Sequence, residues 1–258
     1  MEIVIRPDAD AAAALVAQLI GARVCAKPNL VLGLATGRTM EPLYDQLAAL
    51  GVDFSRSHSF NLDEYVGVPP DNPQSYRHYM NERLFDRINI ERDNTHVPDG
   101  MAADLGAEVT HYERLIKHAG GIDLQLLGIG EDSHIGFNEP LSALMSRTRE
   151  KALTPKTRRQ NAAMFGGDPD RVPKRALTMG VGTILEAREI ILLATGAAKA
   201  GILAKAVEGP ITAMISASAI QLHPRCKVVL DAAAASALSQ KEYYDWIFQN
   251  EPEWEAFR

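Results

Sequence analysis

The chain has 258 residues, 46% hydrophobic and 23% charged, the balance of a globular protein with one large domain or two small ones. Its formal net charge is -6 and it has no block of Lys or Arg, which argues against nucleic acid as the main partner. The two cysteines, Cys25 and Cys226, are too few for a disulfide framework and lack metal-type spacing, so reduced packing thiols in a cytoplasmic protein are expected. Residues 1–7 do not read as a signal peptide, and no apolar run approaches the roughly 18 residues of a membrane span.

Residues 2–5 read as a first strand, followed by an Ala-rich helix over 8–26 with Leu15, Leu19, Ile20 and Val24 at helical spacing. Leu30-Val31-Leu32-Gly33-Leu34-Ala35 is a continuous apolar run, the mark of a strand buried on both faces. Thr36-Gly37-Arg38-Thr39 turns it into a helix through about residue 50, with Pro42 tolerated in the first turn. A helix N-terminus after a glycine turn offers free N–H groups to an anion. Thr36 and Thr39 add hydroxyls there, and Arg38 adds a planar cation. The turn is neither a P-loop nor GxGxxG, and a plain βα turn with a capping Thr has the same appearance.

A strand over 58–62 leads to Asp63-Glu64-Tyr65, and a helix over 75–85 and a short strand within 93–100 come next. An amphipathic helix spans 102–118, and the strand over 122–127 runs into Gly128-Ile129-Gly130-Glu131-Asp132-Ser133-His134. Residues 154–173 are rich in breakers and short of periodicity, as in a lid or binding loop. Then follow an apolar run at 176–179, a helical turn at 181–186, a strand at 189–194 and a helix at 198–208 that carries Lys199. A strand at 227–230 and a helix over 231–245 complete the chain. This alternation predicts one three-layer αβα domain: a doubly wound, mostly parallel, Rossmann-like sheet.

Asp132, His134 and Glu139 fall within eight residues on a glycine-punctuated turn, and a His oriented by carboxylates can move protons near neutral pH. Asp63 or Glu64, at the end of another strand, can serve as a general base or form a solvated turn. No HxH, HxxxH or HExxH pattern is present, so no metal is expected. His223 reads as structural, and Ser133 lacks the G-x-S-x-G setting of a nucleophile.

The runs Phe60-Asn61-Leu62-Asp63-Glu64-Tyr65-Val66-Gly67 and Gly128-Ile129-Gly130-Glu131-Asp132-Ser133-His134-Ile135-Gly136-Phe137-Asn138-Glu139-Pro140 resemble the glucosamine-6-phosphate deaminase family. The likeness continues through residues 146–149, 172–185, 206–210 and 221–224. It implies conversion of glucosamine 6-phosphate to fructose 6-phosphate and ammonia, without metal or cofactor. By this resemblance His134 assists ring opening, Asp132 and Glu139 orient and tune it, and Asp63 shuttles a proton between carbons through an enolamine. Thr36, Gly37, Thr39 and Lys199 match phosphate-binding positions, and 154–173 matches a mobile lid. Ser142, Arg149 and Lys151 match an effector site for N-acetylglucosamine 6-phosphate, found in hexameric members.

Three positions depart from the family pattern. Arg38 stands where many members have a small residue, Ala163 where many have a lid arginine, and Ser133 where glycine is usual. Arg38 is expected to supply the charge that Ala163 cannot, and Ser133 to be strained if φ is positive there. The rival enzyme readings are a galactosamine-6-phosphate deaminase and a 6-phosphogluconolactonase, which lacks the Phe-Asn-Glu-Pro continuation. A sugar-phosphate sensor is the non-enzyme rival, and its helix-turn-helix has no room before residue 30.

Overall fold

The computed structural model describes residues 1–258. The strands in chain order are β1 (Glu2–Arg6), β2 (Val31–Leu34), β3 (His58–Asn61), β4 (Asp63–Tyr65), β5 (Thr95–His96), β6 (Leu124–Leu127), β7 (Arg149–Ala152), β8 (Arg175–Thr178), β9 (Glu189–Ala194) and β10 (Cys226–Asp231). The helices are α1 (Ala9–Ala26), α2 (Met40–Ala49), α3 (Tyr76–Met80), α4 (Leu105–His118), α5 (Pro155–Asn161), α6 (Val181–Leu185), α7 (Ala200–Val207) and α8 (Lys241–Asn250).

Seven strands form a wholly parallel sheet in the order β1-β10-β9-β6-β2-β3-β5. Every residue of β2, β6, β9 and β10 is buried, as expected for strands covered on both faces. The αβα expectation holds. Helix α1 starts where the Asp8 carboxylate accepts the Ala11 N–H at 2.8 Å. At 18 residues with a mean hydropathy of 1.4, α1 is long and apolar enough to span a membrane, contrary to the sequence expectation. Here it packs on α2, β1, β9 and β10 as a core helix, with Leu15, Val16, Leu19 and Ile20 buried.

Three features differ from the sequence reading. A second, antiparallel sheet in the order β4-β8-β7 lies beyond the C-terminal end of β3, pairing Asp63 and Arg149 with Thr178. Only one face of β7 is partly covered, and its Arg-Glu-Lys-Ala sequence has no apolar alternation to reveal it. The breaker-rich segment holds α5, with Pro155 in its first turn and the Thr154 hydroxyl accepting the Thr157 N–H at 3.2 Å. A 3-10 turn, Ala162–Phe165, follows, so 154–165 is ordered rather than loop. Its Ala162 and Phe165 join Tyr65, Tyr76, Phe137 and Val172 in a small core separate from the main one. Residues 232–237 form turns, and the last helix begins only at Lys241.

The N-terminal edge of the parallel sheet is held by charge. Lys227, 3% exposed, bonds Glu189 at 3.0 Å and Glu253 at 2.5 Å, and Arg23 bonds Glu189 at 2.8 Å. Glu189 is itself 5% exposed. Breaking such a pair strands the remaining charge in a dry site. We predict that Glu189→Ala lowers stability by about 3 kcal/mol, read by denaturant unfolding.

Candidate active site

The C-terminal ends of β2, β3, β6 and β9 lie at one edge of the sheet, because all four strands run parallel. That edge receives the turns 36–39, 62–65, 128–139 and 195–199, which hold nine of the twelve residues singled out by sequence.

Asp63 begins β4 and is 6% exposed. No protein donor bonds its carboxylate, so burial, and then the neighbouring Glu64 charge, pushes its pKa up to about 8. Glu64 faces the other way. Its carboxylate accepts the N–H groups of Tyr65, Tyr76 and Arg77 at 2.8, 3.0 and 3.0 Å, at the start of α3. Burial still raises the Glu64 pKa against those bonds and the Arg77 charge. The two adjacent acids therefore separate into one free carboxyl and one structural carboxylate.

The Asp132–His134 turn forms the second half. His134 Nδ1 lies 2.5 Å from Asp132 Oδ1. Burial opposes the Asp132 charge, but the His134 hydrogen bond and charge, together with Glu139, outweigh it and hold its carboxyl well below the ordinary range. Donor atoms of Asp132, His134 and Glu139 lie within 4.8 Å of one another. One nitrogen and two carboxylates could also ligate a divalent metal, so these are the residues that would hold one.

Glu139 is 4% exposed. Its Oε1 accepts the Thr154 N–H at 3.0 Å, while Oε2 is buried without a partner. Asn138 pins the turn by donating to the carbonyls of Ile135 and Met179, both at 2.8 Å.

Two glycines bring the halves together. A Cβ on Gly130 would lie 2.2 Å from the His134 ring, so only glycine leaves room for it. Gly136, at φ 56°, lies against Asp63: its Cβ would sit 3.4 Å from Asp63 Oδ2 and 2.8 Å from Thr178 Oγ1. Ser133 has φ 79°, as the expected strain requires. Its buried hydroxyl accepts the Ser216 N–H and its carbonyl the Ala217 N–H, both at 3.0 Å, which offsets the strain.

At the other end, Gly37 has φ 114°, and its carbonyl accepts the Tyr79 hydroxyl at 2.9 Å. Thr36, Gly37 and Thr39 are half-buried and Arg38 is exposed. Lys199 Nζ donates to the Ile129 carbonyl at 2.8 Å, tying this end to the His134 turn. Burial lowers its pKa; Glu131 and Asp132 oppose that, while Arg38 and Lys156 add to it. The Asp231 carboxylate accepts the Gly196 N–H at 3.0 Å and so fixes the turn carrying Lys199.

The remaining three residues lie beside the site. Arg149 donates to Asn138 Oδ1 at 2.9 Å and to Ser142 Oγ at 3.2 Å, and Lys151 follows two residues later on the same face of β7. His223 bonds the Ala187 carbonyl at 2.7 Å in a buried structural role. Sequence reasoning missed Glu64 as a helix anchor, Thr178 as the cross-strand neighbour of Asp63, and Asp231. These contacts join residues 12 to 115 positions apart, and no local pattern signals them.

Comparison with known proteins gives the family. Residues 8–229 match the family described as glucosamine-6-phosphate isomerases/6-phosphogluconolactonase. The chain is 51% identical to a glucosamine-6-phosphate deaminase of Arthrobacter sp., covering 99% of this chain and all of that one. It is 47% identical to one from Streptomyces coelicolor, with the same coverage. A solved monomeric glucosamine-6-phosphate deaminase superposes with a TM-score of 0.90 at 41% identity, over 92% of this chain and all of that one. A 6-phosphogluconolactonase from Thermotoga maritima shares the fold, with a TM-score of 0.72 at 22% identity over 89% of this chain and 98% of that one. The chain belongs to the glucosamine-6-phosphate isomerase/6-phosphogluconolactonase family.

Proposed function

We propose that this protein converts D-glucosamine 6-phosphate and water to D-fructose 6-phosphate and ammonia. The observation that carries this reading is the pairing of a free, buried Asp63 carboxyl with a separate Asp132–His134–Glu139 set across Gly136. The reaction needs two proton handlers with different tasks. His134, oriented by Asp132, takes the proton of the C1 hydroxyl and returns one to the ring oxygen as the ring opens. Asp63, as carboxylate, removes the C2 proton while O1 takes up a proton from solvent, giving the enolamine; Asp63 then delivers its proton to C1 as the nitrogen releases one to solvent. The resulting C2 imine takes up water and releases ammonia. The two groups can keep distinct protonation states because their surroundings differ: Asp63 is dry and unpaired, while Asp132 is hydrogen-bonded and anionic.

Thr36, Gly37, Arg38, Thr39 and Lys199 hold the phosphate in this reading, and 154–173 is the lid over the sugar. The amino-sugar reading is favoured over the lactonase because the named relatives near 50% identity are deaminases, whereas the lactonases lie near 20%. The reduced thiols fit a cytoplasmic enzyme of amino-sugar catabolism.

A coupled assay for fructose 6-phosphate tests the reaction, with glucosamine 6-phosphate, galactosamine 6-phosphate and 6-phosphogluconolactone side by side. We expect turnover of the first amino sugar; no turnover of either would sink the reading. Asp63→Asn should bind substrate yet lose proton exchange at carbon, measured by deuterium incorporation from solvent.

Asp63 also sets two pH dependences. Ionisation of the base makes kcat/KM of the free enzyme climb as pH rises towards about 8. The folded chain holds a proton that the unfolded chain releases from about pH 4 upward, so this group lowers stability progressively from there to about pH 8. Asp63→Asn should therefore raise Tm more at pH 8 than at pH 4; an equal effect at both would refute the burial argument.

Arg38 is exposed just before α2, where a phosphate can reach it. Arg38→Ala should raise KM for glucosamine 6-phosphate about tenfold or more, as loss of a charge-assisted hydrogen bond does. A barely altered KM would remove it from the subsite.

An N-acetylglucosamine 6-phosphate site at Ser142, Arg149 and Lys151, in a hexamer, rests on residue matching. The solved relative at 41% identity is described as monomeric, and Arg149 here already serves Asn138 and Ser142. Sigmoidal kinetics made hyperbolic by that compound would support the site; hyperbolic kinetics indifferent to it would eliminate it.

A further inference from the structure

The two proton-handling sets stand on separate scaffolds. Asp132, His134 and Glu139 come from one loop that closes on itself: the His134 carbonyl accepts the Gly130 N–H at 2.9 Å, and the Gly130 carbonyl accepts the Ser133 N–H at 3.0 Å. Their donor atoms lie within 4.8 Å of one another, in a group to which Asp63 does not belong. Asp63 is held instead by β4, through its pairing with Thr178 of β8 and the Met179 N–H donated to the Leu62 carbonyl at 2.7 Å. No hydrogen bond joins the Asp63 carboxyl to the loop set. Within that set His134 Nδ1 is committed to Asp132 at 2.5 Å, which leaves Nε2 for a ligand. The loop therefore carries a complete acid–base unit, oriented and hydrogen-bonded without help from Asp63.

We propose that this loop gives the protein a second activity, the interconversion of the α and β anomers of hexopyranose 6-phosphates that carry a hydroxyl instead of an amine at C2, in which Asp63 takes no part. His134 takes the proton of the C1 hydroxyl. The O1 electron pair forms the carbonyl as the C1–O5 bond breaks. O5 keeps the electrons of that bond and receives the proton from His134, so the open aldehyde has the composition of the ring. Rotation about C1–C2, or release of the aldehyde, presents the other carbonyl face. The same steps in reverse then close the ring to the second anomer, with no co-reactant. The atoms that His134 handles are O1 and O5, and neither depends on the C2 substituent. Asp63, the group that works at C2, is buried without a protein partner, and burial keeps it largely protonated at neutral pH. A neutral carboxyl both donates and accepts, so a C2 hydroxyl can pair with it as an amine can.

The inference rests on the reading of His134 as the ring-opening group, and two assays keep the failures apart. Exchange between the anomers of glucose 6-phosphate, isotopically labelled at C1, is measured by NMR exchange spectroscopy with and without enzyme. The wild type and Asp63→Asn should both raise the exchange rate about tenfold or more over buffer, within the reach of one positioned acid–base group. His134→Gln should leave it at the buffer rate. Asp132→Asn, which keeps the imidazole but alters the partner of Nδ1, should give an intermediate rate, so the result does not hang on one variant. Thermal unfolding checks that each variant is folded. Exchange at the buffer rate in the wild type, its loss in folded Asp63→Asn, or its retention in His134→Gln would overturn the proposal. Fructose 6-phosphate formed from glucosamine 6-phosphate without faster anomer exchange leaves the deaminase reading and removes the second activity. Faster exchange without fructose 6-phosphate does the reverse.

Discussion

A carboxyl group buried without a donor is the constraint around which this molecule is built. Isolation of Asp63 costs folding free energy at neutral pH, and nothing in its own strand relieves it. It is maintained by neighbours that are themselves fully engaged. Glu64, one residue on, is locked by three backbone N–H groups and cannot turn inward to share a proton. Thr178, opposite Asp63 across the antiparallel pair, gives its hydroxyl to the Phe137 N–H as acceptor and not to the carboxylate. Gly136 allows the His134 loop to approach the carboxyl without filling the space beside it.

The two edges of the parallel sheet differ in how fully their polar groups are partnered. At the N-terminal edge every buried charge has partners: Glu189 meets Arg23 and Lys227, and Asp123 meets Lys27 and Arg188. At the C-terminal edge Asp63 and Glu139 Oε2 lack protein partners, and Lys199 has only a carbonyl. Groups left unsatisfied at a sheet edge are available to a ligand, and the secured opposite edge compensates for their cost. Ser133 adds a local strain at the same edge, with its hydroxyl and carbonyl both used to hold the 216–217 backbone.

The small core formed by Tyr65, Tyr76, Phe137 and Phe165 connects these parts. It joins the strand that carries Asp63, the helix anchored by Glu64, the loop after His134 and the turn that follows α5. Residues 154–165 are therefore coupled to the segments that carry Asp63 and His134, because they share packing partners. The Thr154 N–H to Glu139 bond makes the same connection through the backbone.

Local sequence determined the parallel strands, because runs such as Ile190-Ile191-Leu192-Leu193 have no stable alternative to burial on both faces. It also determined the glycine turns that follow β2 and β6, and the grouping of Asp132, His134 and Glu139, since these sit within one short loop. Tertiary structure alone decided the rest. The antiparallel sheet is built from a three-residue strand and a charged one, neither with a readable period, so only their pairing through Thr178 defines them. Helix α5 lies among breakers because Pro155 begins it, a position where proline favours a helix instead of ending one. Which of Asp63 and Glu64 stays free was open in the sequence, where both acids look alike. The distant N–H groups of Tyr76 and Arg77 made the choice, because a carboxylate goes where backbone donors are otherwise unpaired.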